Sequence, residues 1–127
     1  MPELAEVEYY RRQWDPGVGQ KIVRVQLHVR KRIFRGSNPR LLVREVTGTR
    51  FLRSESWGKQ MLFEFSGGNW IGLHLGMTGK LRIEPPIFRP EKHDHLVLYQ
   101  TKRALIFRDA RLFGRVRFHH GKSAPDW

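Results

Sequence analysis

The first residues of the chain place a nucleophile beside two carboxylic acids. Removal of Met1 would leave Pro2 with a free secondary amine, which can attack a carbonyl or a sugar C1′ and form an iminium (Schiff-base) intermediate. Glu3 is adjacent, and Glu6 lies one helical turn further on the same face. This spacing predicts covalent catalysis with proton transfer at a helix terminus, although proline and acidic residues also favour an ordinary first turn.

Two segments in the middle of the chain carry side chains suited to binding an anion or a base stack. Lys59 follows Gly58 at a predicted hairpin tip, where a flexible cation can reach a ligand. His74 lies between glycines on a predicted open strand face and can approach a phosphate oxygen. Met77 falls in a glycine-rich loop, so its side chain is either a core filler or an apolar wedge for a base stack.

A later turn carries a second candidate pair. Arg111 and Phe113 lie two residues apart before a predicted strand, so both side chains can point from one rim. The alternative places Phe113 in the core and Arg111 in solvent. Exposure of the two side chains distinguishes these interpretations.

Metal binding is not expected within this chain. His93 and His95 have a spacing of two residues on a predicted strand, which suits a pair of ligands, but no third ligand is evident. The chain contains no cysteine, which excludes disulfides and cysteine-based zinc sites within it.

Composition indicates a nucleic acid as the binding partner. The 127 residues include 24 Lys and Arg against 12 Asp and Glu, giving a net charge of +12. Such an excess favours a polyanion, and the chain has neither a basic amphipathic helix nor a long apolar span for a membrane. The N-terminus is acidic, unlike a secretory signal, so a bacterial cytoplasmic, nucleoid-associated location is expected.

The N-terminal third must position the first of these groups. Apolar residues at a spacing of three to four predict a helix over residues 3–14, with Leu4, Val7 and Trp14 on its buried face. Alternation then predicts a strand over 23–29 whose valines and leucine face the core. The basic run 30–35 fits a solvated strand end or a phosphate-facing edge.

The rest of the chain reads as a meander of short strands. A short helical turn is predicted after Asn38-Pro39, ending before Gly48. Seven further strands are predicted at residues 49–57, 60–65, 70–75, 80–84, 95–99, 104–108 and 112–118. The prediction is a single, mainly β domain over 1–127: an eight-stranded antiparallel β-sandwich with a long N-terminal helix.

Together these segments resemble the formamidopyrimidine-DNA glycosylase / endonuclease VIII family. The segments that carry the resemblance, in the family's order and spacing, are MPELAEVE (1–8), Gly58-Lys59, HLGMTG (74–79), KHDH (92–95) and DARLFG (109–114). The resemblance covers essentially the whole chain. The positions that look like the formamidopyrimidine-DNA glycosylase branch are Leu4, Val7, Met77, Arg111 and Phe113.

The resemblance implies a base-excision repair enzyme that acts as both DNA glycosylase and AP lyase. Pro2 would attack C1′ of a damaged nucleotide flipped out of the duplex. Glu3 would protonate the sugar ring oxygen and help release the oxidised purine, and Glu6 would position the nucleophile or the base. The Schiff base would then collapse by β- and δ-elimination.

The resemblance also implies how the DNA is held. Lys59 and His74 would bind phosphates beside the lesion. Met77, Arg111 and Phe113 would fill the gap left by the flipped nucleotide, with Arg111 facing the opposite cytosine. The implied partner is double-stranded DNA with oxidised bases or abasic sites, bound by a monomer.

Family members carry a second domain that this chain is expected to lack. That domain has a helix–two-turn–helix motif and a zinc finger, so zinc is expected only there and no cofactor is expected in this chain. Little activity is therefore expected of the isolated chain. The alternative is a non-enzymatic basic DNA-binding module built on the same fold.

Overall fold

Two four-stranded antiparallel sheets pack face to face in the computed structural model, which describes residues 3–127. The elements in chain order are α1 (Leu4–Gln13), β1 (Arg24–Leu27), α2 (Pro39–Val46), β2 (Phe51–Trp57), β3 (Gln60–Phe65), β4 (Asn69–His74), β5 (Lys80–Glu84), β6 (Asp94–Tyr99), β7 (Ala104–Arg108) and β8 (Arg115–His120). The predicted mainly β sandwich with an N-terminal helix is confirmed.

Strand alternation builds the core between the sheets. The strand orders are β1-β6-β7-β5 in the first sheet and β2-β3-β4-β8 in the second. Alternate residues of each strand point inward. In the second sheet Phe51, Phe63 and Phe65 are fully buried, and Trp14 packs against Phe63 with ring centroids 4.7 Å apart.

The two helices cover opposite sides of the sandwich. α1 contacts β5 and β2, which are edge strands of the two sheets, and it buries Val7. Leu4 was predicted on the buried face but is exposed, because it lies in the first turn beyond the sheet edges. α2 contacts β1 and begins at Asn38, whose side chain accepts hydrogen bonds from two backbone amides. No helix within residues 3–127 is long and apolar enough to span a membrane.

β1 is shorter than its alternation predicts. Lys21 pairs with Arg50 beside the second sheet, whereas Arg24 already pairs with Tyr99 in the first. The chain crosses between sheets at this point, which interrupts the alternation. Val23 lies at this crossing and Val29 lies beyond Leu27, the last paired residue of β1; both were predicted to be buried and are exposed.

The basic run 30–35 forms turns rather than a strand end or sheet edge. Ile33 and Phe34 are buried in the core, and the Ile33 carbonyl accepts a hydrogen bond from Val116 of β8. Burial of these two residues bends the segment back, which directs Arg32 and Arg35 outward.

Candidate functional site

Those predicted site residues that fall within residues 3–127 gather at one end of the second sheet. The last cross-strand row of that sheet joins Trp57, Gln60, His74 and Arg115 in register. The Gly58-Lys59 turn, the loop after His74 and the loop before Arg115 all leave the sheet from this row. Segments more than fifty residues apart in sequence thus meet at one rim.

Lys59 occupies the predicted hairpin tip. Trp57 pairs with Gln60, so Gly58 and Lys59 alone form the turn, and Gly58 has the positive φ of 59° that such turns favour. Because the turn is at the sheet end, the ammonium group can reach a ligand beyond the rim.

α1 brings its acidic first turn to the same end. The helix runs antiparallel to β2, since Arg11 bonds Ser54 and Glu8 bonds Ser56. Glu3 lies five residues before Glu8, about 7 Å further along the helix axis. Glu3 and Glu6 are exposed at the level of the Lys59 turn. Pro2 lies outside the described residues, so its predicted role stays a prediction.

Glu8 fixes this placement of α1. Its carboxylate accepts hydrogen bonds from Arg11 at 2.7 Å, from Arg12 at 3.2 Å and from Ser56 of β2. The bonds from Arg11 and Ser56 hold the pKa of Glu8 well below its usual range. A charged Glu8 therefore connects the helix to the sheet.

Only one ring nitrogen of His74, Nε2, is available to donate a hydrogen bond to a ligand. The Gly76 backbone amide donates to Nδ1 at 2.9 Å, so Nδ1 is unprotonated and Nε2 carries the hydrogen. Burial, followed by the nearby charges of Lys59, Arg117 and Arg35, lowers the pKa of His74. The neutral ring offers an Nε2–H donor for a phosphate oxygen. The face beside it is less open than predicted, because the Trp127 ring covers Gly72.

One buried carboxylate joins the two rim loops. Asp109 accepts from the Thr78 hydroxyl at 2.7 Å and from the Arg111 amide at 3.2 Å through Oδ1. Its Oδ2 accepts from the Gly114 amide at 2.6 Å. Gly76 allows the loop after His74 to approach the backbone of Phe113 closely, since a Cβ at this position would collide with that backbone. Before the structure was known, only its position in the DARLFG motif distinguished Asp109 from other acidic residues.

The residues expected to fill the gap left by a flipped nucleotide, here called duplex probes, are exposed on these joined loops. Met77 is 50% exposed and Phe113 is 37% exposed, so neither is a core residue. Leu112, between Arg111 and Phe113, is partly buried against the core with a φ of 63°, a left-handed conformation that is uncommon outside glycine. Anchoring Leu112 inward directs its neighbours outward. Their action as duplex probes stays a prediction.

Arg32, one of three arginines in the basic run 30–35 that were candidates for a phosphate contact, belongs to the rim. Its guanidinium lies 4.7 Å from the centre of the Phe113 ring, and Arg111 lies 5.6 Å from the same ring. Cation–π contacts on the ring orient Phe113. Only the charge of the 30–35 run pointed to this segment.

His95 has a structural role. Its ring nitrogens face the backbone carbonyl oxygens of Asp109 at 2.8 Å and His28 at 3.2 Å. This buried ring therefore links the start of β6 to the rim loop. Within residues 3–127, no group of three or more acidic or histidine side chains is placed to hold a metal ion.

The amino-acid sequence matches a known protein family over most of its length. Residues 1–116 match the model of the formamidopyrimidine-DNA glycosylase N-terminal domain. The chain belongs to the formamidopyrimidine-DNA glycosylase family. The resemblance noted from the motifs is thus confirmed along most of the chain.

Relatives and solved structures of this family cover most of the chain. The formamidopyrimidine-DNA glycosylase of Burkholderia mallei is 42% identical over 123 residues, and that of Solibacter usitatus is 37% identical over 118. A Lactococcus lactis Fpg in complex with a DNA containing N7-benzyl-Fapy-dG matches with a TM-score of 0.84 at 33% identity, and one with abasic-site DNA at 32%.

The chain is shorter than these family members. It is covered to 94% by the Burkholderia mallei relative but spans 44% of that relative's length. The same shares, 94% and 44%, hold for the Lactococcus lactis structure. The similarity therefore concerns the N-terminal domain of the family.

Proposed function

We propose that this chain is the catalytic domain of a DNA glycosylase/AP lyase that removes oxidised purines in base-excision repair. The observation that supports it most directly is the single rim carrying Glu3 and Glu6, the Lys59 and His74 donors, and the exposed Met77 and Phe113. Such a rim suits a nucleotide held outside the duplex.

The proposed reaction begins at Pro2. Its amine attacks C1′, and the bond from C1′ to the damaged base breaks. The departing base takes up the proton that the Pro2 amine loses. Glu3 gives a proton to the sugar ring oxygen, which opens the ring and leaves a cationic iminium (Schiff base) between Pro2 and C1′. Glu6 positions the nucleophile or the base. β- and δ-elimination then break the bonds to the two flanking phosphates.

The rim would hold the substrate through charge and shape. Lys59 supplies a cation and His74 a neutral N–H for phosphates beside the lesion. Met77, Arg111 and Phe113 would occupy the gap in the stack, with Arg111 facing the opposite base. Asp109 supports this role because it keeps both probe loops together.

Duplex DNA with oxidised or abasic sites is the proposed partner of a monomeric protein in the bacterial cytoplasm. The net charge of +12 favours a polyanion. Relatives in Burkholderia and the complexes of Lactococcus lactis Fpg with lesion-containing and abasic DNA support the same partner. No cofactor is proposed for the residues of this chain.

Borohydride trapping on abasic duplex DNA tests the proposal. With Met1 removed, the protein should form a covalent complex that Pro2→Gly weakens, while Glu3→Gln reduces base excision more than trapping. Lys102→Gln, in the turn between β6 and β7, is the matched surface control. A protein that binds duplex DNA but never traps would instead be the non-enzymatic module.

A further inference from the structure

The outer face of the second sheet carries a cavity that the proposed reaction does not use. It has a volume of about 390 Å³ and lies between the β2–β3 hairpin and the C-terminal segment. Residues that line it include Glu55, Trp57, Gln60, Leu62, Asp126 and Trp127. We propose that this cavity binds a nucleobase of single-stranded DNA next to the Lys59 turn.

Trp57 forms the exposed wall of the cavity. Trp57 is 87% exposed, the largest exposed fraction among the large hydrophobic residues of the described chain. Ser54 and Ser56 point toward α1, so the alternation of β2 places Trp57 on the outer face with Glu55. A solvent-exposed indole beside Lys59 at the hairpin tip is suited to stacking on a base.

Trp127 also lines the cavity, and its ring is packed against the second sheet. Its ring packs on Gly72, where a Cβ would collide with it. The Arg117 guanidinium lies 4.8 Å from the ring centre, and the His119 ring meets it edge-on at 6.5 Å. Gly72 thus has a packing reason within a strand that otherwise favours larger residues.

The polar groups of the cavity fit a base rather than a phosphate. Glu55, which also pairs with Arg53 at 3.4 Å, and Asp126 bring carboxylates. Carboxylates disfavour a phosphate but accept hydrogen bonds from exocyclic amino groups such as cytosine N4. The cations lie at the border: Lys59 follows Trp57 by two residues, and Arg117 lies behind Trp127. A strand whose phosphates follow these cations can place one base in the cavity that the two indoles line.

This charge pattern also predicts base preference. Cytosine and adenine each present an amino donor, whereas thymine presents a carbonyl acceptor at the corresponding position. The carboxylates should therefore favour cytosine over thymine. An apolar protein segment would gain nothing from the acidic lining or the flanking cations, so we favour the nucleobase.

Binding of short single strands to the 127-residue chain tests the inference. Anisotropy of a labelled oligodeoxycytidylate is compared with that of an equally long strand of abasic sites, which carries the same phosphates without bases. We expect the bases to tighten binding roughly tenfold and to quench indole fluorescence. Oligodeoxythymidylate should lie between the two.

Matched variants locate the effect. Trp57→Ala and Trp127→Ala should each remove most of the difference between the cytosine and abasic strands. Ile87→Ala should retain it, since Ile87 is similarly exposed (86%) in the loop after β5 of the other sheet. Lys59→Gln should weaken both strands alike, because it removes a phosphate contact only.

Two results would overturn the inference: equal binding of cytosine and abasic strands by the wild-type chain, or an undiminished difference in Trp57→Ala. Far-ultraviolet circular dichroism shows whether each variant is folded. The site goes beyond the proposed function and does not need Pro2 chemistry. Borohydride trapping therefore fails or succeeds separately from strand binding.

Discussion

Among single residues, His74 shows how a backbone contact selects the chemistry of a side chain. The Gly76 amide occupies Nδ1, and burial among Lys59, Arg117 and Arg35 lowers the pKa of the ring. At neutral pH the ring is thus an uncharged donor through Nε2. The cations around it add the attraction that a neutral ring lacks.

Two isosteric substitutions separate the nitrogens of His74. Asn places its Oδ1 near the position of Nδ1, so His74→Asn keeps the Gly76 bond and loses the outward donor. His74→Gln places its amide near Nε2 and loses the loop bond. We expect His74→Asn to bind duplex DNA roughly fivefold to tenfold more weakly with unchanged stability, since a hydrogen bond to a charged group is lost.

His74→Gln should keep more of the DNA affinity but lower the free energy of unfolding by about 1 kcal/mol. Anisotropy with duplex DNA and urea denaturation measure the two quantities. If both variants bind DNA like the wild type, His74 is not a phosphate donor.

At the scale of elements, the connection of α1 to β2 depends on the charge of Glu8. The depressed pKa of Glu8 means that the folded state favours the carboxylate more than the unfolded state does. This stabilisation is fully present above the ordinary pKa of 4.5 and is lost as pH falls through and below that value.

Replacing Glu8 should therefore flatten the acid dependence of stability. We expect Glu8→Gln to lower the free energy of unfolding at neutral pH and to show a smaller further loss below about pH 4.5 than the wild type. Glu45→Gln is the control, since Glu45 makes a 3.4 Å exposed ion pair with its neighbour Arg44. Urea titrations at several pH values provide the measurement, and parallel curves for wild type and Glu8→Gln would contradict the assignment.

The contact between the two rim loops depends on the carboxylate of Asp109. Asp109→Asn places an amide where up to three donors converge, which leaves buried hydrogen-bonding groups unsatisfied. We expect a loss of about 1–3 kcal/mol in the free energy of unfolding and faster hydrogen exchange at the Gly114 amide.

Thr78→Val serves as the milder comparison for Asp109→Asn. It removes one hydroxyl donor and leaves the amide bonds of Asp109 to Arg111 and Gly114 in place. The expected loss is about 1 kcal/mol, without faster exchange at Gly114. Equal effects of the two variants would show that Asp109 acts only through Thr78.

For the whole molecule, the distribution of charge sets the affinity for duplex DNA. The net charge is +12, but the phosphate contacts that can be identified are Lys59, His74 and one arginine of the 30–35 turns. Because His74 is neutral, about two of these contacts neutralise a phosphate, which implies a slope near −2 in a plot of log affinity against log salt concentration. The 127-residue chain should thus bind duplexes with micromolar or weaker affinity and little lesion preference.

Binding at about 50 and 200 mM salt, to duplexes with and without 8-oxoguanine, measures that slope. Lys59→Gln should reduce its magnitude by about one unit. Lys102→Gln should leave the slope unchanged, because Lys102 lies away from the rim. The β6–β7 turn that carries it is at one end of the first sheet, and the Asp94–Arg108 pair, which precedes the rim loop at Asp109, is at the other. Tight, salt-resistant recognition of the lesion duplex would contradict the prediction.

Features that depend on neighbouring residues along the chain could be predicted before the structure was known. Alternation identified the strands, Gly58 and the other turn glycines identified the hairpins, and Asn38 identified the start of α2. The motif spacing identified the family and the residues that collect at the rim. Periodicity and turn chemistry are local properties, which a single sequence carries directly.

The tertiary structure alone decided how those pieces meet. It bent the basic run 30–35 into turns, because Ile33 and Phe34 enter the core. It brought Asp109 into hydrogen-bond contact with Thr78, which lies thirty-one residues earlier in the chain. It also packed the Trp127 ring on Gly72. These contacts depend on which distant residues the packed sheets bring together, and no local pattern encodes that pairing.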